Sequence, residues 1–266
     1  MSAMNRTLAF AFPLTLLASA SVSAQGGPPM MTDDPGTPGS RTWEINTGWN
    51  AQSTPGSVIH SLPIVDANYG IGNLVEITYQ VPFGVVVSGG RTQAAMGNSE
   101  ISIKWRFVDA GDWQISMYPG IDILTPGSHA DIPGLTDSAR TLELPLQIER
   151  SVGPVSINGD IGRTFSTDPG DDEWFGGAAV GGNVRRGWEL VTEVHVNASR
   201  RLQRAEWVAQ AGTRVDVSER LTLMFAYGRD VRNDFVPRTL LLAYAGTQLR
   251  IGKGPKKAGS RSGRHS

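Results

Sequence analysis

The fold class this sequence predicts is all-β: an antiparallel, up-and-down transmembrane β-barrel of about twelve strands. Three observations predict it. Segment after segment alternates apolar and polar side chains with period two. Short Gly-containing turns alternate with longer connections, as in membrane barrels. Tryptophans gather near strand ends, where an indole suits a membrane–water boundary. No stretch after residue 24 reaches the ~20 apolar residues of a spanning helix. The 32 glycines and 16 prolines of the 266 residues also oppose long helices.

Composition removes several function classes. There is no cysteine, which excludes a disulfide scaffold, a thiolate-held metal and a cysteine nucleophile. The 24 basic and 25 acidic residues nearly cancel, which argues against nucleic acid as a partner.

The N-terminus reads as an export signal over residues 1–24. Arg6 supplies the positive charge, Leu8 to Ala18 an apolar core, and Val22-Ser23-Ala24 a small-residue cleavage site. Residues 25–41 are expected to form an N-terminal periplasmic segment. The barrel is expected over 42–251. Residues 252–266 carry Lys253, Lys256, Lys257, Arg261 and Arg264 without an acid and are expected to form a basic disordered tail.

Six strands are explicit. Trp43, Ile45 and Trp49 oppose Glu44, Asn46 and Asn50. Val75, Ile77, Tyr79 and Val81 oppose Glu76, Thr78 and Gln80. Ile101, Ile103, Trp105 and Phe107 oppose Glu100, Ser102, Lys104 and Arg106. The same alternation runs over Trp113–Ile123, Leu142–Glu149 and Trp188–Asn197. Spacing places weaker strands at about 58–69, 154–165, 173–184, 205–216, 220–230 and 236–251. Longer loops are expected near 84–97, 125–138 and 166–172. If the apolar face meets lipid, the polar face encloses a wet lumen.

Lumen or solute-lining candidates are therefore Glu44, Asp66, Glu76, Glu100, Lys104, Arg106, Asp122, Glu143, Glu193, His195 and Arg214, with Glu149, Asp160, Glu189 and Glu206 beside them. Two readings stay open. Opposed charges can line a selective pore, or they can pair and plug a narrow barrel. Lys104 and Arg106 lie two apart on one face and suit carboxylates, either the barrel's own or a solute's. Glu193 and His195 share a face, but no nucleophile is placed with them, so no catalytic residue is expected. No cofactor and no metal site is expected. Asp168, Asp171, Asp172 and Glu173 read as a solvated acidic loop in preference to a calcium site. Arg200, Arg201 and Arg204 lie in one connection, where they could contact the phosphates of outer-membrane lipid or lipopolysaccharide.

Thr32-Asp33-Asp34-Pro35-Gly36-Thr37-Pro38-Gly39 followed by Trp43-Glu44-Ile45-Asn46 resembles the start of a bacterial outer-membrane family. Its members are labelled meta-pathway phenol-degradation-like, or transporter-like. Asp66-Ala67-Asn68-Tyr69-Gly70-Ile71, Val81-Pro82 and Lys104-Trp105-Arg106-Phe107 are similar to its next landmarks. The resemblance is strongest before residue 110. It implies a porin-like protein of the Gram-negative envelope, inserted by the barrel-assembly machinery into the cell outer membrane, that carries small hydrophobic or aromatic solutes. The alternative is a plugged barrel with a structural or surface-interaction role.

Overall fold

The computed structural model describes residues 27–128, 132, 134–235 and 237–252. The expected export signal and most of the expected basic tail lie outside the described residues. Fourteen strand segments run β1 Trp43–Thr54, β2 Ser57–Ile71, β3 Val75–Ser88, β4 Arg91–Met96, β5 Ser99–Ala110, β6 Trp113–Met117, β7 Gly120–Ile123, β8 Thr141–Val152, β9 Val155–Ser166, β10 Glu173–Arg185, β11 Trp188–Ser199, β12 Ala205–Asp216, β13 Leu221–Asn233 and β14 Leu241–Ile251. They make twelve passes, because β4 and β5 are one pass interrupted at Gly97-Asn98, and β6 and β7 one pass interrupted at Tyr118-Pro119. Pro119 cannot donate to the ladder, and its carbonyl accepts from Ile103 N across the break.

All neighbours pair antiparallel, and β1 pairs β14 from Trp43↔Ile251 to Ser53↔Leu241. That seam closes the cylinder and leaves no edge there to aggregate. The strands place most of their large apolar residues outward. Ile77, Ile103, Leu144, Ile161 and Phe225 face outward, while Glu76, Ser102, Lys104, Gln147, Glu149, Asn158 and Glu193 are buried inside. A water-soluble domain has the opposite arrangement. Dozens of large apolar side chains on the outer surface are stable only if hydrocarbon replaces water there.

The connections fall into two sets. At one end, here the turn end, β2–β3, β5–β6, β8–β9, β10–β11 and β12–β13 are joined by tight turns. At the other, the loop end, residues 124–140 join β7 to β8 and 167–172 join β9 to β10. The expected long loop at 84–97 is instead a hairpin of β3 and β4 closed at Gly89-Gly90, both with positive φ. That is the geometry a two-residue hairpin turn requires. The expected strand beginning at 236 starts at Leu241; just before it, Thr239 O accepts from Asp230 N and Leu240 N donates to Ser53 O. Trp43, Trp105, Trp113 and Trp188 ring the turn end, while Trp174 and Trp207 sit at the loop end. Arg150 lies 4.9 Å from the Trp113 ring and Arg185 4.8 Å from Trp188, so cations accompany the aromatic belt at the turn end.

Candidate functional site

The lumen is not filled by strand side chains alone. From Gly27 onward, the stretch expected as an N-terminal periplasmic segment runs inside the barrel wall. It enters at the turn end, where Thr37 Oγ1 donates to Asn73 O (3.0 Å) and Thr42 O accepts from Gly70 N (3.0 Å). It then reaches mid-height, where Glu193 of β11 accepts hydrogen bonds from Met31 N (2.9 Å) and Thr32 N (2.8 Å). A segment with unmet backbone N–H groups thus finds charged acceptors on the wall. Arg214 serves the opposite polarity by donating to Pro28 O (2.8 Å).

The strongest anchor is Lys104. Its ammonium lies 2.8 Å from Asp33 Oδ2, 4.0 Å from Glu76 Oε1 and 4.7 Å from the Tyr118 ring, and donates to Asp34 O at 2.9 Å. Gln147 Nε2 adds a bond of 2.8 Å to the same Asp33 oxygen. A buried ammonium requires this saturation, since each unmet charge in a low dielectric is costly.

The wall makes room for the segment through small residues. A Cβ on Gly177 would overlap Thr32 Oγ1, and one on Gly212 would overlap Met30. Met30 then packs on Ala179, Val191 and Ala226, with Tyr244 beside them. This small apolar cluster lies within the barrel. Glycine on these strands is thus used for close approach of another backbone.

The remaining candidates divide by partner. Glu44 holds Arg250 (2.9 Å), Asp66 accepts from Asn46 Nδ2 (2.9 Å), Glu100 accepts from Ser102, and Glu143 accepts from Thr164 (3.3 Å). Asp122 sits opposite Glu100 in the β5–β7 register. Arg106 turns away from Lys104's partners, to Asp109 (3.2 Å), Gln114 and Asn73 O near the turn end. His195 is buried and stacked on Phe175, while its neighbour Glu193 is committed to the threaded segment and Gln210. The expected Glu193–His195 face therefore exists, with Glu193 serving as an anchor. Arg200 and Arg204 face the barrel's own groups, Asp172 (3.9 Å) and the Phe235 ring (5.0 Å). Arg201 is exposed beside them.

In the acidic loop, Asp172 accepts from Ser166 N and Arg163 Nη2. These bonds, the backbone one first, hold its carboxyl below the usual carboxylate range. Among the described residues, no three or more His, Asp or Glu converge where they could hold a metal ion.

Cavities flank the threaded segment. On the turn side, one of about 280 Å³ is lined by Arg214, Arg220 and Arg250 against Glu189, Asp216 and Glu219. On the loop side, two of about 460 Å³ each share Gln52, Asn197, Glu206 and Thr239 and so form one vestibule. Loop residues Gly134, Phe235 and Pro237 border its outer part. Pro28, Pro29, Met30 and Met31 form part of the lining of its inner part.

Sequence reasoning missed Asp33, Thr32, Met30 and Tyr244. The one local signal was Asp33-Asp34 in a Pro/Gly-rich stretch directly before a strand.

No family model matches the chain, and no curated protein matches it. Solved structures do. An outer-membrane channel from Pseudomonas putida F1 superposes with a TM-score of 0.71 at 11% identity, over 82% of this chain and 98% of that one. The KdgM porin gives 0.55 at 8% identity, over 77% and 98%. The NanC porin gives 0.53 at 6% identity, over 79% and 100%. At such identities the likeness concerns architecture, and the chain shares the closed antiparallel barrel of these outer-membrane proteins.

Proposed function

We propose that this protein is an outer-membrane channel for small hydrophobic or aromatic solutes, with residues 27–38 built into the lumen as a constriction. In this reading the loop end faces outside and the turn end faces the periplasm, as is usual for such barrels. The observation that carries it is the vestibule, bordered in its outer part by loop residues and in its inner part by the threaded segment. The apolar contribution of Met30, Leu242, Val208 and Tyr244 to that vestibule suits a solute with a greasy body. The P. putida barrel, which the chain matches over most of its length, is an outer-membrane channel, and this supports the same reading. The phenol-degradation-like resemblance of the N-terminal landmarks supports the aromatic class.

A second reading has its own support. Asp33, Thr32 and Met31 are held so fully that the barrel could be permanently plugged and serve a structural role. Planar-bilayer recording and liposome uptake of the mature chain, beside a variant lacking residues 27–38, separate the two. A channel gives small discrete conductance from the mature chain and a several-fold larger one from the deletion. Conductance from the deletion alone establishes the plug, and none from either overturns the channel.

A further inference from the structure

We propose that the vestibule is a binding site for a small organic cation with an apolar body, an arylalkylammonium in chemical class. The proposal deepens the channel reading by naming what the vestibule prefers, although binding itself requires no transport. The first observation is charge. Asp66 and Glu206 line the inner part of the vestibule, Glu173 and Glu206 the outer part, and neither part has Lys, Arg or His among its described lining. An adjoining cavity of about 230 Å³ shares Asn46 and Asp66 with the inner part and is also lined by Lys104 and Arg214, which are held by other groups. Lys104 holds Asp33, and Arg214 donates to Pro28 O.

The second observation is independent and points to a donor. Asn46 and Asp66 are only 4% and 8% exposed, and both line the inner part. Asn46 Nδ2 donates to Asp66 Oδ2. Asn46 Oδ1 accepts no hydrogen bond from any described residue, while the Asp66 carboxyl also has the Asn68 side chain beside it. A buried, unmet acceptor beside a carboxyl group asks for a further N–H donor. An ammonium supplies three, and its charge meets a carboxylate in a low dielectric, where such bonds are about twice as strong as neutral ones.

The third observation is shape. The Tyr244 ring, Met30, Val208 and Leu242 contribute to the same cavity. Its volume of about 460 Å³ lies within the range of small-molecule pockets. An aromatic body packs against this wall, and the Tyr244 ring face adds attraction for a nearby cation. A carboxylate-bearing aromatic would instead meet Asp66 and Glu206, with Lys104 already held by Asp33 and Arg214 by Pro28 O.

The test uses the mature chain in detergent micelles and isothermal titration with three probes of similar size: 2-phenylethylammonium, 2-phenylethanol and 3-phenylpropanoate. The ammonium is expected to bind at least tenfold tighter than the alcohol, and the carboxylate more weakly than either. Asp66→Asn keeps the size and an acceptor, and is expected to cost the ammonium about tenfold while leaving the alcohol unchanged. Glu206→Gln, at the junction of the two parts, reports on the same charge independently should Asp66→Asn fail to give a heat-modifiable barrel. Equal affinity for ammonium and alcohol, or no binding of the ammonium, overturns the proposal. So does unchanged ammonium affinity in folded variants. Ammonium binding by a non-conducting barrel would sink the channel reading and keep this one, and a conducting barrel that ignores the ammonium would do the reverse.

Discussion

Lys104 and Arg106 show how much one partner matters at the scale of a residue. They share a strand face and differ by two positions, yet Lys104 is 4% exposed and meets a carboxylate 71 positions away, while Arg106 meets Asp109 three positions on. Replacing one member of a buried pair strands the other charge, at about 3–5 kcal/mol. An ion pair with a half-exposed partner contributes about 0–1 kcal/mol. Lys104→Met is therefore expected to release the threaded segment, seen as new proteolytic cleavage within residues 27–38 and a several-fold rise in conductance. Arg106→Met should change neither. Equal behaviour of the two variants would show that Lys104 does not anchor the segment. The sequence made both side chains legible as lumen-facing cations that seek carboxylates. It could not say which carboxylate, because Asp33 lies in a stretch with no periodicity to orient it.

At the scale of the element, the threaded segment depends on what the wall leaves out. Gly177 lies in the interior of β10, where glycine otherwise weakens a strand, and its missing side chain is the space Thr32 occupies. Gly177→Val should favour the strand intrinsically and still expel the segment. The expected outcome is a folded barrel with raised conductance and with loss of protection for the amides of Met31 and Thr32 in hydrogen exchange. Gly159→Ala, whose Cβ would meet Ile148 at an ordinary 3.5 Å, is the control and should conduct like the parent.

The connection at 167–172 carries a pH prediction. The Asp172 carboxyl is depressed by Ser166 N–H and by Arg163. Its contribution to loop order is thus complete above the ordinary carboxylate value of 3.8 and is lost as pH falls through the lower folded value. Amide exchange at Ser166 should rise only below about pH 4, and Asp172→Asn should raise it throughout. A rise near neutrality in the parent would contradict the assignment. Strand existence was legible element by element because period-two alternation is local. The β3–β4 hairpin was not, since Val85, Val86 and Val87 alternate with nothing polar and Gly89-Gly90 is one glycine pair among many. The threaded segment was invisible for a different reason. Its hydrogen bonds to Glu193 span more than 160 positions, and no local pattern encodes a contact of that range.

For the whole molecule, the decisive physics is which solvent meets the outer wall. Ile161 lies mid-strand in β9 and is 58% exposed, and Leu202 lies in the β11–β12 connection and is 68% exposed. A protein surrounded by water would treat the two alike, since isolated apolar residues on a wet surface are replaced at little cost. A barrel in a bilayer would not. A basic side chain on the lipid face near the midplane costs roughly 2–4 kcal/mol, falling to about 0–1 near the boundary. Ile161→Arg is thus expected to lower folding free energy into phosphatidylcholine vesicles by about 2–4 kcal/mol, measured by reversible denaturant titration of tryptophan emission. Leu202→Arg should shift it by less than about 1 kcal/mol. The contrast uses two residues of similar exposure and the same substitution, so burial and charge number cancel, and depth in hydrocarbon is what remains. Equal costs would mean that the outer surface is wet. The girdle of Trp43, Trp113, Trp174 and Trp207 would then have no boundary to mark, and the polar interior no reason to be enclosed.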